Sequence, residues 1–307
     1  MFLKLPEKVN IVEVGPRDGL QNEKNIVSTE DKIFLIEKLV DSGIKKIEIT
    51  SFVNPKWTPQ LADGFEVATK IKKQQDVNYL ALVPNLIGAK KAVESNLNEI
   101  AVFMSSSESH NKKNLNRTMG ESLEILEETI KFAKSNNLKV RAYLSTVFGC
   151  PYEGNISVEK VNELLKKLFS FGIFQVSLGD TIGVANPKQV KEVLESVFTI
   201  IEDKSQIAVH FHDTMGMALA NSVIALEMGI KTFDSSIGGI GGCPYAPGAT
   251  GNVATEDLVN MFHKMGIETG INLEKLVESN VFLEKILNKK LNSNFSKTFM
   301  ARKNSPI

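Results

Sequence analysis

The chain has 307 residues, of which 42% are hydrophobic and 23% are charged, so it is long enough to bury one large core. Its 36 basic and 36 acidic side chains cancel, which argues against a nucleic acid or an anionic membrane as partner and favours a small-molecule substrate. Two cysteines are too few for a disulfide framework, and no apolar run approaches the roughly 20 residues of a membrane-spanning helix. The few residues before the first predicted strand leave no room for a targeting peptide. We therefore expect a soluble, cytoplasmic protein.

Short β-branched runs alternate with longer amphipathic stretches along the whole chain, which is the pattern of βα units around a parallel sheet. Eight strands are predicted, at 9–14, 45–50, 78–83, 99–104, 139–144, 174–178, 207–211 and 232–235. Helices are predicted between them, for example at 28–42, 122–135, 157–171 and 187–201, several of which open on a Ser or Pro start signal. Eight such pairs favour a closed (β/α)₈ TIM barrel over an open doubly wound sheet, because no Gly-x-Gly-x-x-Gly follows the first strand.

The end of the sequence differs from the repeating part. We expect the barrel to span about 9–265 of a single domain, 1–307, since no linker-like segment divides the chain. An extra helix is predicted at 272–290, and the polar tail 293–307 is expected to be disordered.

In a TIM barrel the catalytic groups lie at the C-terminal ends of the strands and in the loops that follow. The chemically unusual side chains fall at these positions: Arg17 and Asp18 after the first strand, Glu48 at the end of the second, Asp180 after the sixth, and His210 and His212 at the end of the seventh. We therefore expect them to meet at one face of the barrel.

The pair His210 and His212 is the sharpest local signal. Residues i and i+2 of a strand point to the same face and could grip one cation with two imidazoles, although a lone His-x-His pair is more often structural. Asp18 would add a carboxylate from the other side of the barrel mouth, and such a set suits Mn²⁺, Mg²⁺ or Zn²⁺. The alternative for Asp18 is an ordinary turn residue. The other histidines, His110 on a loop and His263 on a helix, are interpreted as structural or solvated.

Arg17 and Glu48 form a second candidate group. Arg17 would be a surface charge by default, but in a metal-lined cavity it could stabilise a developing enolate or carboxylate. Glu48 lies within an apolar strand, so it must be paired or face a polar lumen, and Arg17 is a plausible partner. The alternative is an outward-facing Glu48 covered by a helix end.

The segment 236–251 carries six glycines around Cys243. It is either a long surface connection or a lid that excludes water from a carbanion, with Cys243 placed to deliver or remove a proton. Asn252, directly after it, either caps the next helix or adds an amide oxygen to a metal site, and the residues alone favour the cap. Cys150 is interpreted as a small buried filler.

Several motifs resemble the 3-hydroxy-3-methylglutaryl-CoA lyases. They are Val-Glu-Val-Gly-Pro-Arg-Asp-Gly-Leu-Gln-Asn-Glu at 12–23, Thr-Ser-Phe-Val-Asn-Pro-Lys-Trp at 50–57, Gly-Cys-Pro-Tyr-Glu-Gly at 149–154, Ser-Leu-Gly-Asp-Thr-Ile-Gly at 177–183 and Gly-Gly-Cys-Pro-Tyr at 241–245. The first motif and the His-x-His pair occur more widely, in metal-dependent barrels such as isopropylmalate and homocitrate synthases. The last motif selects the lyase.

The resemblance implies a metal-dependent carbon–carbon lyase that cleaves (S)-3-hydroxy-3-methylglutaryl-CoA to acetyl-CoA and acetoacetate, in leucine degradation or ketone-body formation. It implies Mg²⁺ or Mn²⁺ as cofactor, a homodimer, and these site residues: Asp18, His210, His212 and Asn252 as metal ligands, and Arg17, Asp18, Glu48, Asp180 and Cys243 as catalytic residues. Within that scheme Arg17 stabilises the enolate, Glu48 supports the site and Cys243 donates the proton.

Three alternatives stay open at this stage. A condensing transferase of the isopropylmalate or homocitrate synthase kind would use related chemistry, but such enzymes usually carry a further regulatory domain. A lyase that acts on another 3-hydroxyacyl-CoA is the second alternative. A catalytically silent barrel is disfavoured because all the candidate ligands are present.

Overall fold

A computed structural model describes residues 5–242, 251–303 and 305. The strands are β1 (Asn10–Glu13), β2 (Lys46–Ser51), β3 (Asn78–Leu82), β4 (Glu99–Ser105), β5 (Lys139–Ser145), β6 (Gln175–Asp180), β7 (Ile207–Phe211) and β8 (Thr232–Ser235). They pair in parallel in chain order, and β8 pairs back to β1, so the sheet closes into an eight-stranded barrel. The predicted TIM barrel is confirmed.

Helices surround this barrel. They are α1 (Thr29–Asp41), α2 (Gly64–Lys70), α3 (Leu86–Glu94), α4 (Glu108–Leu115), α5 (Met119–Ser135), α6 (Val158–Ser170), α7 (Pro187–Val197), α8 (Ala218–Glu227), α9 (Thr255–Lys264), α10 (Leu273–Leu287) and α11 (Asn294–Lys303). Among the described residues, no helix is both long and apolar enough to cross a membrane.

Helix α7 shows how sequence produces this packing. Asn186 accepts a hydrogen bond from the amide of Gln189 at 3.1 Å and caps the helix, and Pro187 occupies its first position. Its buried residues are Val190, Val193, Leu194 and Val197, at the three-and-four spacing that places them on one face against the barrel. Burying each of these side chains stabilises the fold by roughly 1.5–3 kcal/mol.

The lumen of the barrel is unusually charged. Arg141 on β5 and Asp234 on β8 form an ion pair at 3.0 Å with both side chains fully buried. Lys46 on β2 pairs with Glu99 on β4 at 2.5 Å. Because the strands of each pair are not neighbours in the sheet, both ion pairs must cross the interior, where most TIM barrels have Val, Ile and Leu.

The predicted disorder of 293–307 is wrong for most of that segment, because α11 covers Asn294–Lys303. The carboxylate of Asp257 accepts hydrogen bonds from the amides of Asn294 and Phe295, at 3.0 and 2.7 Å. A carboxylate from another helix thus satisfies the exposed donors of the first turn. The helix predicted at 272–290 is confirmed as α10.

Two local boundaries also differ from the sequence prediction. Helix α5 begins at Met119 rather than near residue 122, because Thr118 and Glu121 form a reciprocal capping box one turn earlier. His110 lies on α4 and not on a loop, because Ser107 caps that helix by accepting from the amide of His110. Cys150 is buried, as predicted for a filler.

Candidate active site

The first site segment follows β1. Residues 15–19 form a single π-helical turn in which the amides of Arg17, Asp18 and Gly19 all donate to the carbonyl of Val14, at 3.1, 2.7 and 3.2 Å. Such turns are frequent at functional sites, since the wider ring redirects the side chains that it carries. Here Arg17 Nη1 donates to Asp18 Oδ1 at 2.5 Å, so the two charges lie side by side at the C-terminal face.

The second segment is the end of β2. Arg17 Nε donates a hydrogen bond to the fully buried carboxylate of Glu48, so the predicted pairing is confirmed and the outward-facing alternative for Glu48 is wrong. Burial raises the pKa of Glu48, while Arg17 opposes this shift. Burial also opposes protonation of Arg17, but Glu48 and Asp18 outweigh it and raise its pKa, so the guanidinium stays charged.

The third segment is the end of β7. The Nε2 atoms of His210 and His212 lie 3.2 Å apart, and ligand atoms of both rings and of Asp18 all lie within 4.8 Å of one another. Burial lowers the pKa of His212 to about 3, so its imidazole is neutral near pH 7 and offers a lone pair. Burial opposes ionisation of Asp18, but Arg17 and the two histidines lower its pKa to about 2, so it is a carboxylate.

Asn252 completes this group, and the helix-cap alternative is wrong. Helix α9 begins at Thr255, and its N-cap, Ala254, has no capping side chain. The amide nitrogen of Asn252 donates to Asp18 Oδ2 at 2.8 Å and to the carbonyl of Ile240 at 3.0 Å. Its amide oxygen is buried without a hydrogen-bond partner among the described residues.

The four side chains of this group fit a divalent cation. They offer a carboxylate, two imidazoles and an amide oxygen, a mixed set that Mg²⁺, Mn²⁺ and Zn²⁺ accept. An orphaned buried acceptor such as Asn252 Oδ1 is costly, and a ligand would satisfy it.

Gly241, at the start of the glycine-rich segment, lies against this group. Its φ is +108°, and a β-carbon there would lie 2.5 Å from the amide nitrogen of Asn252 and 3.1 Å from the carbonyl of Asp18. Only glycine allows the segment to pass so close. Cys243, the predicted proton donor, lies outside the described residues.

Asp180 lies at the end of β6, close to the group but engaged by its own loop. Its two carboxylate oxygens accept hydrogen bonds from the amides of Val184 and Ala185, each at 3.0 Å. Burial raises its pKa to about 6, and these two amides oppose the shift. The neighbouring Gly179 and Thr181 line the cavity described next.

These segments meet at the floor of a cavity of about 530 Å³. Arg17, Asp18, His210 and His212 line it together with Gly242. The wall formed by α4 and the turn after it adds Lys113 and Arg117, and Trp57, which is 66% exposed, lies on another wall. The cavity therefore joins a polar, metal-competent floor to a basic and aromatic mouth.

Sequence reasoning missed Tyr143, Arg141 and Asp234. The guanidinium carbon of Arg17 lies 5.3 Å from the centre of the Tyr143 ring, and Asp234 faces His210. The available signal was the one that paired His210 with His212, since Arg141 and Tyr143 are polar residues two apart on a barrel strand and must share one face.

Comparison with known proteins agrees with this geometry. A model of the family described as HMGL-like matches residues 8–282. The chain belongs to the HMGL-like family. The hydroxymethylglutaryl-CoA lyase of Bacillus subtilis is 54% identical over 288 residues, which are 94% of this chain and 96% of that protein.

Solved structures of relatives in the HMGL-like family share the whole architecture. The crystal structure of the Bacillus subtilis HMG-CoA lyase has a TM-score of 0.95 and 53% identity, over 97% of this chain and 100% of that one. An Acinetobacter baumannii HMG-CoA lyase in complex with coenzyme A and 3-methylmalate has a TM-score of 0.93 and 41% identity, over 98% of each chain. The resemblance predicted from the motifs is confirmed, and with it the class of enzyme, a carbon–carbon lyase.

Proposed function

We propose that this chain is a hydroxymethylglutaryl-CoA lyase, which cleaves (S)-3-hydroxy-3-methylglutaryl-CoA to acetyl-CoA and acetoacetate with Mg²⁺ or Mn²⁺. The observation that carries the proposal is the convergence of two histidines, Asp18 and an orphaned amide oxygen beside Arg17, at the floor of one cavity. The names of the relatives support the same reaction.

The proposed metal ligands are Asp18, His210, His212 and Asn252. A divalent cation bound there would acidify a substrate hydroxyl and fix its orientation. With a pKa of about 2, Asp18 is a weak base, so we assign it to ligand binding and expect the hydroxyl proton to leave through a water molecule beside it.

Arg17 is proposed to stabilise the enolate. When the bond between C2 and C3 of the substrate breaks, its electron pair moves onto the thioester, and the thioester oxygen becomes negative. Arg17 stays charged and is held by Glu48, so it presents positive charge without a change of conformation. Glu48 is accordingly a positioning residue for Arg17.

Asp180 remains a proposed member of the catalytic site. Its contacts support a positioning role, because it fixes the amides of Val184 and Ala185 and thereby the course of the loop that starts at Thr181. The side chain of Thr181 is also held in place, because its Oγ1 accepts a hydrogen bond from the backbone amide of Thr146 at 2.9 Å.

Cys243 is the proposed proton donor to the enolate carbon. A thiol has a reference pKa of about 8.5, so it can donate near neutrality without a large shift. Its neighbour Gly242 lines the cavity, which supports this role. Cys243→Ser should lower kcat far more than it changes KM, and an unchanged kcat would remove Cys243 from the mechanism.

The mouth of the cavity suits coenzyme A. Lys113 and Arg117 offer positive charge to its phosphates, and the exposed ring of Trp57 offers a stacking surface for its adenine. The complex of the related Acinetobacter baumannii enzyme with coenzyme A supports the ligand class. A cytoplasmic homodimer in leucine degradation is proposed on family grounds, and light scattering would test its oligomeric state.

Acetoacetate release from 3-hydroxy-3-methylglutaryl-CoA tests the reaction. Metal-stripped enzyme should be inactive, and adding Mg²⁺ or Mn²⁺ should restore cleavage. If folded, remetallated protein released no acetoacetate, the two remaining alternatives would be tested by offering other 3-hydroxyacyl-CoA substrates and, for condensation, acetyl-CoA with a 2-oxo acid.

A further inference from the structure

Asp234 faces the buried side of His210. The two residues pair in register on the neighbouring strands β7 and β8, and Asp234 Oδ2 lies 3.6 Å from His210 Nδ1. Among the described residues, this nitrogen has no hydrogen-bond partner, although it is buried. The other nitrogen of the ring, Nε2, is the one that faces His212 at 3.2 Å.

The carboxylate of Asp234 is held rigidly from the opposite side. Arg141 Nη2 donates to both of its oxygens, at 3.0 and 3.4 Å, and Ser177 Oγ donates to Oδ2 at 2.6 Å. Arg141 and Asp234 are fully buried, so their charges are not screened by solvent. The carboxylate is therefore a fixed, negative acceptor beneath the histidine.

We propose that Asp234 is a positioning residue that keeps the Nδ1 proton of His210 on the barrel side and the Nε2 lone pair on the cavity side. The ring must move only slightly to bring the 3.6 Å separation to the roughly 2.9 Å of an N–H···O hydrogen bond. A histidine whose Nδ1–H is fixed in this way presents Nε2 as a ligand and is a stronger donor to a metal. This inference rests on the proposed metal site.

The tautomer can be read in the unsubstituted protein. The chain has four histidines, so ¹⁵N NMR of the rings gives a spectrum that single His→Gln substitutions can assign. In metal-free protein His210 should carry its proton on Nδ1, and His212 should then donate from Nε2 to His210 Nε2. A proton on Nε2 of His210 would overturn the proposal without any variant.

Asp234→Asn tests the consequence for the metal. Because Arg141 should hold the oxygen of the new amide, its NH₂ group should face His210. Mn²⁺ affinity, measured by electron paramagnetic resonance, should then fall about 10–100-fold, and His210 should lose its fixed Nδ1–H. Glu99→Gln is the matched control: it removes the charge of another lumen carboxylate paired with a lysine, and it should leave both readouts unchanged.

A combined variant, Arg141→Met with Asp234→Leu, separates position from charge. Removing both charges leaves the lumen neutral, and leucine offers no acceptor to His210, so Mn²⁺ affinity should remain low. Recovery of wild-type affinity would show that the charge of Arg141, not the position of His210, caused the loss, and would overturn the proposal. If the wild-type protein bound no Mn²⁺ at all, the proposed metal site would be contradicted. If Asp234→Asn bound Mn²⁺ as tightly as the wild type, only the role of Asp234 would be contradicted.

Discussion

Asn252 donates from its amide nitrogen to Asp18 at 2.8 Å, and its buried amide oxygen has no hydrogen-bond partner among the described residues. The contact joins the turn after β1, which carries Asp18, to the segment just before α9, which carries Asn252. It also fixes which atom of Asn252 is free to bind a cation.

Asn252→Ala should therefore weaken metal binding. The substitution removes the amide oxygen and one support of Asp18, and we expect Mn²⁺ affinity to fall by at least about tenfold. Gln21→Ala is the control, because Gln21 also donates to Asp18, at 3.0 Å, but is not a proposed ligand. Equilibrium dialysis measures both, and equal losses would mean that only the support of Asp18 matters.

Arg17→Lys should lower kcat by about 10²–10³-fold, because a lysine cannot hold Glu48 and face the cavity with the same fixed geometry. Glu48→Gln keeps an acceptor for Arg17 and should lower kcat much less. Steady-state kinetics with saturating Mg²⁺ compares the two. A larger loss in Glu48→Gln than in Arg17→Lys would assign the main role to Glu48.

Glu13 gives a pH-dependent prediction. Its carboxylate accepts from the amides of Gly15 and Ile237, at 2.7 and 2.9 Å, and from Thr255 Oγ1 at 2.7 Å, so it joins the loops after β1 and β8. Burial raises its pKa from 4.5 to about 7, and these three hydrogen bonds oppose the shift. Since the pKa is higher in the folded state, the associated stability is complete below about pH 4.5 and is lost as the pH rises through about 7.

Glu13→Gln removes this buried charge and can keep the three hydrogen bonds if Thr255 accepts from the new amide. Relative to the wild type, its free energy of unfolding should increase between pH 4 and pH 8, by up to about 3 kcal/mol. Urea titrations at both pH values measure the change. Glu13→Ala leaves the amides of Gly15 and Ile237 without their acceptor, so it should be less stable than the wild type at both pH values. If the difference between Glu13→Gln and the wild type did not depend on pH, the assignment would be contradicted.

Trp57 provides a direct signal for coenzyme A, because it is the only tryptophan in the chain and lies at the mouth of the cavity. Coenzyme A should quench its fluorescence. Replacing Lys113 and Arg117 together by alanine should weaken that binding by about 10–100-fold, the loss expected for charge-assisted hydrogen bonds to phosphate. Lys112→Ala is the control, since this neighbouring lysine pairs with Glu108 at 3.4 Å and does not line the cavity.

The barrel could be predicted closely because its signals are local. All eight strands lie within two residues of their predicted bounds, since each is a short β-branched run between helical patterns. Helix α11 could not be predicted in this way. Its sequence is polar, and it is stabilised by Asp257, a residue about 40 positions away whose contact is a product of the fold.

The site was only partly predictable for the same reason. His210 and His212 share a strand face, and strand periodicity alone brings them together. Asn252 looked like a helix cap because no nearby residue shows that α9 begins at Thr255, or that Asp18 forms a hydrogen bond with Asn252 in the fold. Asp234 was missed because a single acid in a four-residue strand forms no alternating pattern of polar residues. Its partners also lie on three other strands.

The pairing of β1 with β8 has a consequence for how the protein is made. The strand β8, which pairs with β1, ends at Ser235 of 307 residues, so a chain emerging from the ribosome carries an unpaired β1 edge until more than two thirds of it has been synthesised. An open strand edge recruits other chains, and such distant closure is slow, so the incomplete chain is the stage most prone to aggregate. The segment that follows β8 then brings Asn252 to Asp18. The proposed cation ligands are therefore complete only once the exposed edge is closed, and nascent chains that end before β8 should have an open edge and an incomplete cation site.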